Sequence, residues 1–512
     1  MTPRRGVLSS VSRGPIDRAG LGMVAVVVAT VVGLGFPAVS SAARVLVLQP
    51  DGRAIVDTDP FLASVTPTPR PPAAGPAQAA APSARAANRT IRRDLARLVA
   101  QRAISAADYA SYVASFGAAI GAVKRLSGVR ASELQAVITN LGSLAVRRLL
   151  TPSRLSVLFL TLDRNVQWWA TGPLLSTYQR VEFAGSRLVW EYYPGQGIEL
   201  QELGSFSTAA ALCNAGPSQY PACTGLLSEL IPLAASRNGR LAWEYYFNFD
   251  GGVPPWTSAM SQGTALEALA RAYKATKNSA YLALGDRALA LFTAAPPAGV
   301  AVKTALGARY VQYTFAPSRG DEIINAFLQS LIGLDEFAQA SGNPLAAGLF
   351  AGGNAEAQAE LPGFDTGAWS LYQPRVEDDL SYHELVTGFL QRLCALTQAS
   401  VYCTTGNNFT RYLKTPPSLE LLTTRVKARS PTTVYFQLSK ISRVGITILR
   451  GPKTLFLTSA PFSYGRHSFQ IPALPTARAY MVRLSATDLA GNFTRIVGTV
   501  RASAQGARGR SR

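Results

Sequence analysis

Hydrophobic and polar positions change period along this chain, and the changes divide it into stretches of different structure. Apolar Val45–Leu48 and Ala54–Val56 flank Pro50-Asp51-Gly52, which predicts a small hairpin. Residues 65–87 hold six prolines among Ala, Ser and Thr and predict an extended linker that sets the N-terminus apart from the folded body. From Ile104 the period turns helical. Tyr109, Tyr112, Val113, Phe116, Ile120 and Val123 share one face, with Ser105 as the N-cap. A second helix is predicted over 131–150. Others follow near 155–170, 206–214, 259–275, 279–293, 322–341, 344–360 and 381–399. So many antiparallel helices predict an α/α bundle or toroid over residues 88–416. Beyond Pro416-Pro417 the period drops to two: Phe436/Leu438, Val444/Ile446/Ile448 and Tyr480/Val482/Leu484 alternate. Residues 417–504 therefore predict an immunoglobulin-like β-sandwich, and 505–512 a basic tail.

One segment repeats. Arg187-Leu-Val-Trp-Glu-Tyr-Tyr193 returns as Arg240-Leu-Ala-Trp-Glu-Tyr-Tyr246. Either the two copies are aromatic platforms lining one groove or they are packing strips.

Composition adds compartment and partner. Arg4, Arg5, Arg13 and Arg18 precede the apolar run Gly20–Phe36, and Ser40, Ser41, Ala42 and Ala43 follow. That order is a signal peptide over 1–42, cleaved near Ala42, and predicts a secreted or envelope protein. The apolar run is short for a spanning helix, so an uncleaved anchor, and with it membrane association, is the alternative. The formal charge is +20. Removing 1–42 takes four Arg and Asp17 and leaves about +17, so a polyanionic partner is favoured. Basic residues do not gather on a nucleic-acid module, which disfavours DNA and RNA. The four cysteines fall as Cys213/Cys223 and Cys394/Cys403 and, in an exported chain, predict two short-loop disulfides; buried free thiols are the alternative. The only histidines are His383 and His467, and no Cys-x-x-Cys occurs, so no metal site or cofactor is expected. Walker, Rossmann, G-x-S-x-G and H-E-x-x-H signatures are absent. His467 falls in the predicted sandwich, which argues against a Ser-His-Asp triad there.

Three segments of the helical body stand apart. They are Trp256-Thr-Ser-Ala-Met-Ser-Gln-Gly263, then Tyr310-Val-Gln-Tyr313 with Asn325 beyond, then Asp365-Thr-Gly367 through Tyr372, Arg375, Tyr382 and His383. Together with Arg271-Ala-Tyr273 and Ser330-Leu-Ile-Gly-Leu334, they resemble, in order and spacing, the C-terminal domain of the D-glucuronyl C5-epimerase family. The resemblance runs from Trp243 to Leu413, about a third of the chain. It implies an incomplete (α/α)6-type toroid with a cleft for a uronate polymer, in which glucuronate is inverted at C5 to iduronate. Inversion removes a proton from one face and returns one to the other, so it needs two acid/base groups. A tyrosine serves if a cation steadies its phenolate. By resemblance Tyr313, Tyr372 and Tyr382 would be catalytic and Arg375 would grip the uronate carboxylate. Trp256, Ser258, Gln262, Gln312, Asn325 and His383 would line the cleft. Gln312 stands where the family often has Glu, so no carboxylate base is available at that position. The expected activity is an exported C5-epimerase of an acidic polysaccharide. The rivals are a polysaccharide lyase, which takes the same proton and expels the C4 group, and a non-catalytic glycan-binding envelope protein. Homodimerisation is left open.

Overall fold

The computed structural model describes residues 43–62, 84–315 and 322–504, all within one structural unit. The expected signal segment, most of the Pro-rich linker, residues 316–321 of the loop before Asn325 and the expected basic tail lie outside the described residues.

Four helices open the body: α1 (Ala84–Ala100), α2 (Ala106–Arg125), α3 (Gly128–Val146) and α4 (Pro152–Thr171). Ser105 caps α2 by accepting from the Asp108 N–H, while the Asp108 carboxylate accepts from the Ser105 N–H. This reciprocal box fixes where α2 starts. Eight more helices follow as four pairs. They are α5 (Glu202–Asn214) with α6 (Tyr220–Leu230), α7 (Ala259–Thr276) with α8 (Ala280–Leu289), α9 (Ile324–Ser341) with α10 (Pro344–Glu360), and α11 (Leu380–Thr397) with α12 (Ser400–Tyr412). The first members pack in series, α5 on α7, α7 on α9 and α9 on α11, and each second member backs its own first, so the pairs form an arc. Burial follows the same division. Residues Ala259–Ala270 of α7 and Ile324–Leu334 of α9 are buried on every side, as inner helices must be, whereas α8 and α10 bury only a few positions. Helices α1, α6 and α12 were not apparent from the hydrophobic pattern. Two of these three belong to disulfide-linked pairs. Cys213–Cys223 joins α5 to α6 and Cys394–Cys403 joins α11 to α12, as the cysteine spacing predicts.

The α7–α9 crossing requires glycine on both sides. A Cβ on Gly333 would lie 1.9 Å from the Gly263 carbonyl oxygen, and one on Gly263 would lie 2.7 Å from the Ser330 Cα. Both glycines lie in motifs singled out in the sequence. Their role is close backbone approach, which sets the spacing of the two helices whose first turns reach the cleft.

Strands β1 (Ala43–Leu48) and β2 (Ala54–Asp59) form the predicted hairpin, with Gly52 in the left-handed region of its turn. The hairpin is not set apart from the body. β1 pairs in parallel with β3 (Arg180–Phe183), in a five-stranded sheet completed by β4 (Trp190–Tyr193) and β5 (Gly197–Leu200). Leu48 joins the main core, because the edge of β1 that β2 leaves open gains a second ladder by adding to β3. Three short hairpins then project from the helical arc: β6 (Ala235–Arg237) with β7 (Arg240–Ala242), β8 (Ala301–Lys303) with β9 (Ala308–Tyr310), and β10 (Leu371–Gln373) with β11 (Val376–Glu377).

The C-terminal region is two sheets around a core of their own. One is three-stranded, with β12 (Leu419–Leu421), β14 (Thr432–Leu438) and β17 (Gly465–Ile471). The other is five-stranded, in the order β13 (Arg425–Lys427), β19 (Phe493–Ser503), β18 (Ala479–Asp488), β15 (Ser442–Arg450), β16 (Lys453–Phe462). Phe436, Val444, Ile446, Tyr480, Val482 and Leu484 fill the space between them. Two polar anchors tie this region to the helices. The buried Lys440 ammonium pairs with Asp488 at 2.6 Å and donates to the Tyr412 and Thr415 carbonyls. The Glu377 carboxylate, at the end of β11, accepts from the Ile441 and Tyr464 N–H groups at 2.7 Å each.

Candidate active site

The first turns of all four inner helices meet at one cavity of about 310 Å3. Leu203 and Gly204 of α5, Met260 of α7, Asn325 of α9 and Tyr382 of α11 line it, together with Ser258, the N-cap of α7. Four helix N-termini give the mouth a positive potential, which favours an anionic guest. An aromatic wall closes one side: Tyr193, Tyr245, Phe247, Phe249, Trp256 and Tyr313. Trp256 stacks on Tyr245 at 4.2 Å and donates its indole N–H to the Phe247 carbonyl, so its plane is fixed. At depth the cavity runs down between the inner helices to Glu267, Arg271 and Arg392. Burial works to raise the Glu267 carboxyl, but Arg271 and Arg392 outweigh it and hold the carboxyl below its usual range. Glu336 completes this network through a bidentate pair with Arg271, 2.9 Å at each nitrogen, and a contact with Arg392.

The three candidate tyrosines come together from separate elements. Tyr313 follows β9, Tyr372 sits in β10, and Tyr382 lies in the first turn of α11. Tyr313 and Tyr382 line the cavity; Tyr372 packs beside them against Met260, Ile323 and Ala326. The Tyr372 and Tyr382 rings meet edge-on at 5.1 Å, and Tyr372 shares a hydrogen bond with Tyr313. Burial, then the neighbouring phenols, push Tyr372 well above the ordinary tyrosine pKa. Burial, then Tyr313, Asp379 and Asp378, do the same to Tyr382. Both are therefore neutral hydrogen-bond donors at pH 7, where a cation at their oxygens would have had the opposite effect.

Three expected site residues lie elsewhere. Arg375 is exposed in the β10–β11 turn at φ +70 and does not reach the cavity, because a two-strand hairpin sends its turn away from the strand that carries Tyr372. Gln262 is buried on α7, where its amide donates to the Trp243 carbonyl and its oxygen accepts from the Trp243 N–H, so its polar atoms belong to the backbone. His383 follows Tyr382 on α11 and so faces the other way. It is fully buried, stacked on Trp369 at 3.8 Å, with Nε2 donating to the Phe409 carbonyl and Nδ1 2.7 Å from the Ser370 hydroxyl. Trp256, Ser258, Gln312 and Asn325 do line the cavity.

The guanidinium at the mouth is Arg180, on β3. Its Nε is 2.5 Å from Glu191, while Nη1 is buried without a hydrogen-bond partner beside Gly204 at the start of α5. A side chain at Gly204 would meet that nitrogen at 2.7 Å, so the glycine leaves room for it. Nothing in the local sequence singled out Arg180. The aromatic repeat, by contrast, was visible, but its two copies fold out of step. Trp190 and Trp243 are core residues in both, yet the cavity takes the last tyrosine of the first copy, Tyr193, and the first tyrosine of the second, Tyr245. The first copy is a strand paired with β5. The second leaves β7 before its tyrosines, and Tyr245 bridges to Trp256 instead.

Residues 237–411 match the family model described as D-glucuronyl C5-epimerase C-terminus. This segment belongs to that family. The chain is 31% identical over 135 residues to the D-glucuronyl C5-epimerase of Caenorhabditis elegans, an alignment covering 24% of this chain and 22% of that protein. It is 27% identical over 137 residues to an uncharacterized protein of Methanocaldococcus jannaschii, covering 26% and 44%. The chain thus spans less than half the length of these curated relatives. Among solved structures, a cellobiose 2-epimerase from Spirochaeta thermophila aligns at 16% identity and a TM-score of 0.32, covering 51% of this chain and 69% of that one. A GH76 alpha-mannanase of Bacteroides thetaiotaomicron aligns at 11% and 0.34, covering 45% and 65%. Of the inner helices of the arc, the C5-epimerase segment holds α7, α9 and α11 whole; α5, with Arg180 and Tyr193, precedes it.

Proposed function

We propose that this protein is a carbohydrate epimerase that inverts C5 of a D-glucuronate unit within an acidic polysaccharide, giving L-iduronate. The observation that carries this reading is that Tyr313 and Tyr382 line a cavity formed at the first turns of the inner helices, with Tyr372 packed directly beside them. The helical arc is read as an incomplete (α/α)6-type toroid, and the C-terminal sheets as an immunoglobulin-like sandwich. Export through the N-terminal segment accords with the two closed disulfides and makes the enzyme extracytoplasmic.

The uronate carboxylate would lie at the cavity mouth, where four helix N-termini and the free Nη1 of Arg180 supply positive potential and a donor. Arg180 takes the role first given to Arg375. Withdrawing charge into that carboxylate acidifies the C5 proton and stabilises the enolate that its removal creates. One phenolate oxygen takes the proton from C5, and a neutral phenol on the other side of the ring returns one. The Tyr313–Tyr372 hydrogen bond raises Tyr372, which makes Tyr372 the donor of the pair and Tyr313 the oxygen at which a phenolate would be supported. The aromatic wall offers Trp256 and Tyr245 to the apolar faces of the flanking sugars.

The test is incubation with glucuronate-containing polymers in deuterium oxide, followed by proton NMR. Loss of the C5 proton signal with new iduronate resonances and an intact chain is the expected result. Unsaturated chain ends would instead make the protein a lyase, and polymer binding without exchange would make it a glycan-binding envelope protein.

A further inference from the structure

The C-terminal sandwich carries a charge pattern that its fold does not explain. Between Ser418 and Ala504 there are twelve Lys and Arg but only two acidic residues, Glu420 and Asp488. Asp488 is buried and already paired with Lys440. Glu420 belongs to the three-stranded sheet. The outward face of the five-stranded sheet is therefore free of acidic side chains.

Strand alternation puts the cations there. Val426, Val444, Val482, Val500 and Ala502 point into the core, so the residues between them point out. Those outward positions include Arg425 and Lys427 on β13, Arg501 and Arg495 on β19, Arg483 on β18 and Arg443 on β15. All but Arg483 are exposed, and that one is half-buried. Arg425 and Arg501 occupy the same register position on adjacent strands, about 5 Å apart, where like charges repel. Among the described residues none of the six takes part in an ion pair, although ion pairs are frequent elsewhere in the chain. Between the cations the face is partly apolar, with Met481, Val497 and Phe493 exposed.

We propose that this face is a non-catalytic docking surface for an acidic polysaccharide, binding the polymer chain outside the epimerase cleft. The ligand class rests on the epimerase reading above. The charge complementarity is independent of it. Six uncompensated cations spread over four strands suit an extended polyanion that carries a charge at regular intervals, and Phe493, Met481 and Val497 suit the apolar faces of its sugar rings. Repulsion across the Arg425–Arg501 pair is relieved when carboxylates or sulfates lie over it. Docking keeps a long chain near the cleft, so successive units are presented without full release.

The test compares the full chain with an Arg425→Ser/Arg495→Ser/Arg501→Ser variant. The probes are a long polymer of alternating glucuronate and N-acetylglucosamine, a short oligosaccharide of the same repeat, phosphatidylcholine vesicles with and without phosphatidylserine, and duplex DNA. The variant is expected to bind the long polymer at least about tenfold more weakly at low salt, with a shallower salt dependence. Its thermal midpoint and its turnover of the short oligosaccharide should match the parent, and a triple Lys variant should keep most of the binding. Equal polymer affinity in parent and Ser variant overturns the proposal, as does failure of the parent to bind the polymer. Loss of phosphatidylserine-vesicle or DNA binding alone, with polymer binding untouched, assigns the face to that ligand and also overturns it. If the parent shows no C5 exchange but its polymer binding depends on these arginines, the docking surface stands and the epimerase reading falls.

Discussion

Replacing Asp378 with Asn tests a buried proton chain behind the tyrosines. The Asp378 carboxyl lies 2.5 Å from the Ser370 hydroxyl, which lies 2.7 Å from His383 Nδ1. His383 Nε2 already donates to Phe409, so Nδ1 must accept. The Ser370 hydroxyl has one proton for its two close neighbours. Given to Asp378, it leaves Nδ1 only the longer Ser370 N–H at 3.4 Å; given to Nδ1 at 2.7 Å, it requires a protonated Asp378 that donates to Ser370. Burial is the main force raising Asp378, to about 7; Asp379 and Glu377 add to it, and Ser370 opposes. Burial lowers His383 to about 4, with the Phe409 carbonyl pulling the other way. The two linkages have opposite signs. The folded protein holds the Asp378 proton more tightly than the unfolded chain, so this contribution is full below the unfolded value near ~4 and is lost as pH rises through 7. His383 is kept neutral, so its contribution is full above the unfolded value near ~6.5 and is lost as pH falls towards 4. From pH 5 to 8 the first removes about 3 kcal/mol and the second restores about 2, leaving a net change of about 1 kcal/mol from this pair. Asn keeps a donor towards Ser370 and abolishes the first contribution. The stability difference between Asp378→Asn and the parent should therefore move by about 3 kcal/mol in favour of the variant from pH 5 to 8. Urea unfolding at four pH values, followed by tryptophan fluorescence, measures it, with Trp369 stacked on His383 as a local reporter. Parallel stability curves would refute the protonated-carboxyl arrangement.

Other expectations follow from the site and its supports. Tyr372→Phe should lower C5 proton exchange by about 10²–10⁴-fold with little change in melting temperature, and undiminished exchange would remove Tyr372 from the chemistry. Because burial raises the phenols of Tyr372 and Tyr382, the phenolate fraction grows tenfold per pH unit through neutrality, so kcat/KM should climb from pH 6 to 9; a flat profile contradicts a phenolate base. Arg180→Lys should raise KM for polymer at least about tenfold by removing the free Nη1 donor, whereas Arg375→Ala should leave both constants unchanged. Lys440→Met strands the buried Asp488 carboxylate and should cost about 3–5 kcal/mol in urea unfolding, with little effect if Asp488 finds solvent.

Much of this protein is written locally. Helical periodicity marks α2, α4, α7, α9, α10 and α11; the Ser105 box marks a helix start; period-two alternation marks the C-terminal sheets; and cysteine spacing marks both disulfides. These features depend on neighbours a few residues apart, so a single chain displays them. The tyrosine trio was legible through motif resemblance, because spacing of residue types carried it. Tertiary structure decided what depends on direction and on distant partners. A one-residue step along α11 separates Tyr382, at the cavity, from His383, buried behind it. A hairpin turn carries Arg375 away, while Arg180, on a strand more than a hundred residues earlier in the chain, reaches the mouth beside α5. The N-terminal hairpin joins β3 rather than standing apart, because its pairing partner lies far along the sequence. Side-chain identity is a local property of sequence; which side chains share a cavity is set by the packing of α5, α7, α9 and α11, and only the folded chain determines it.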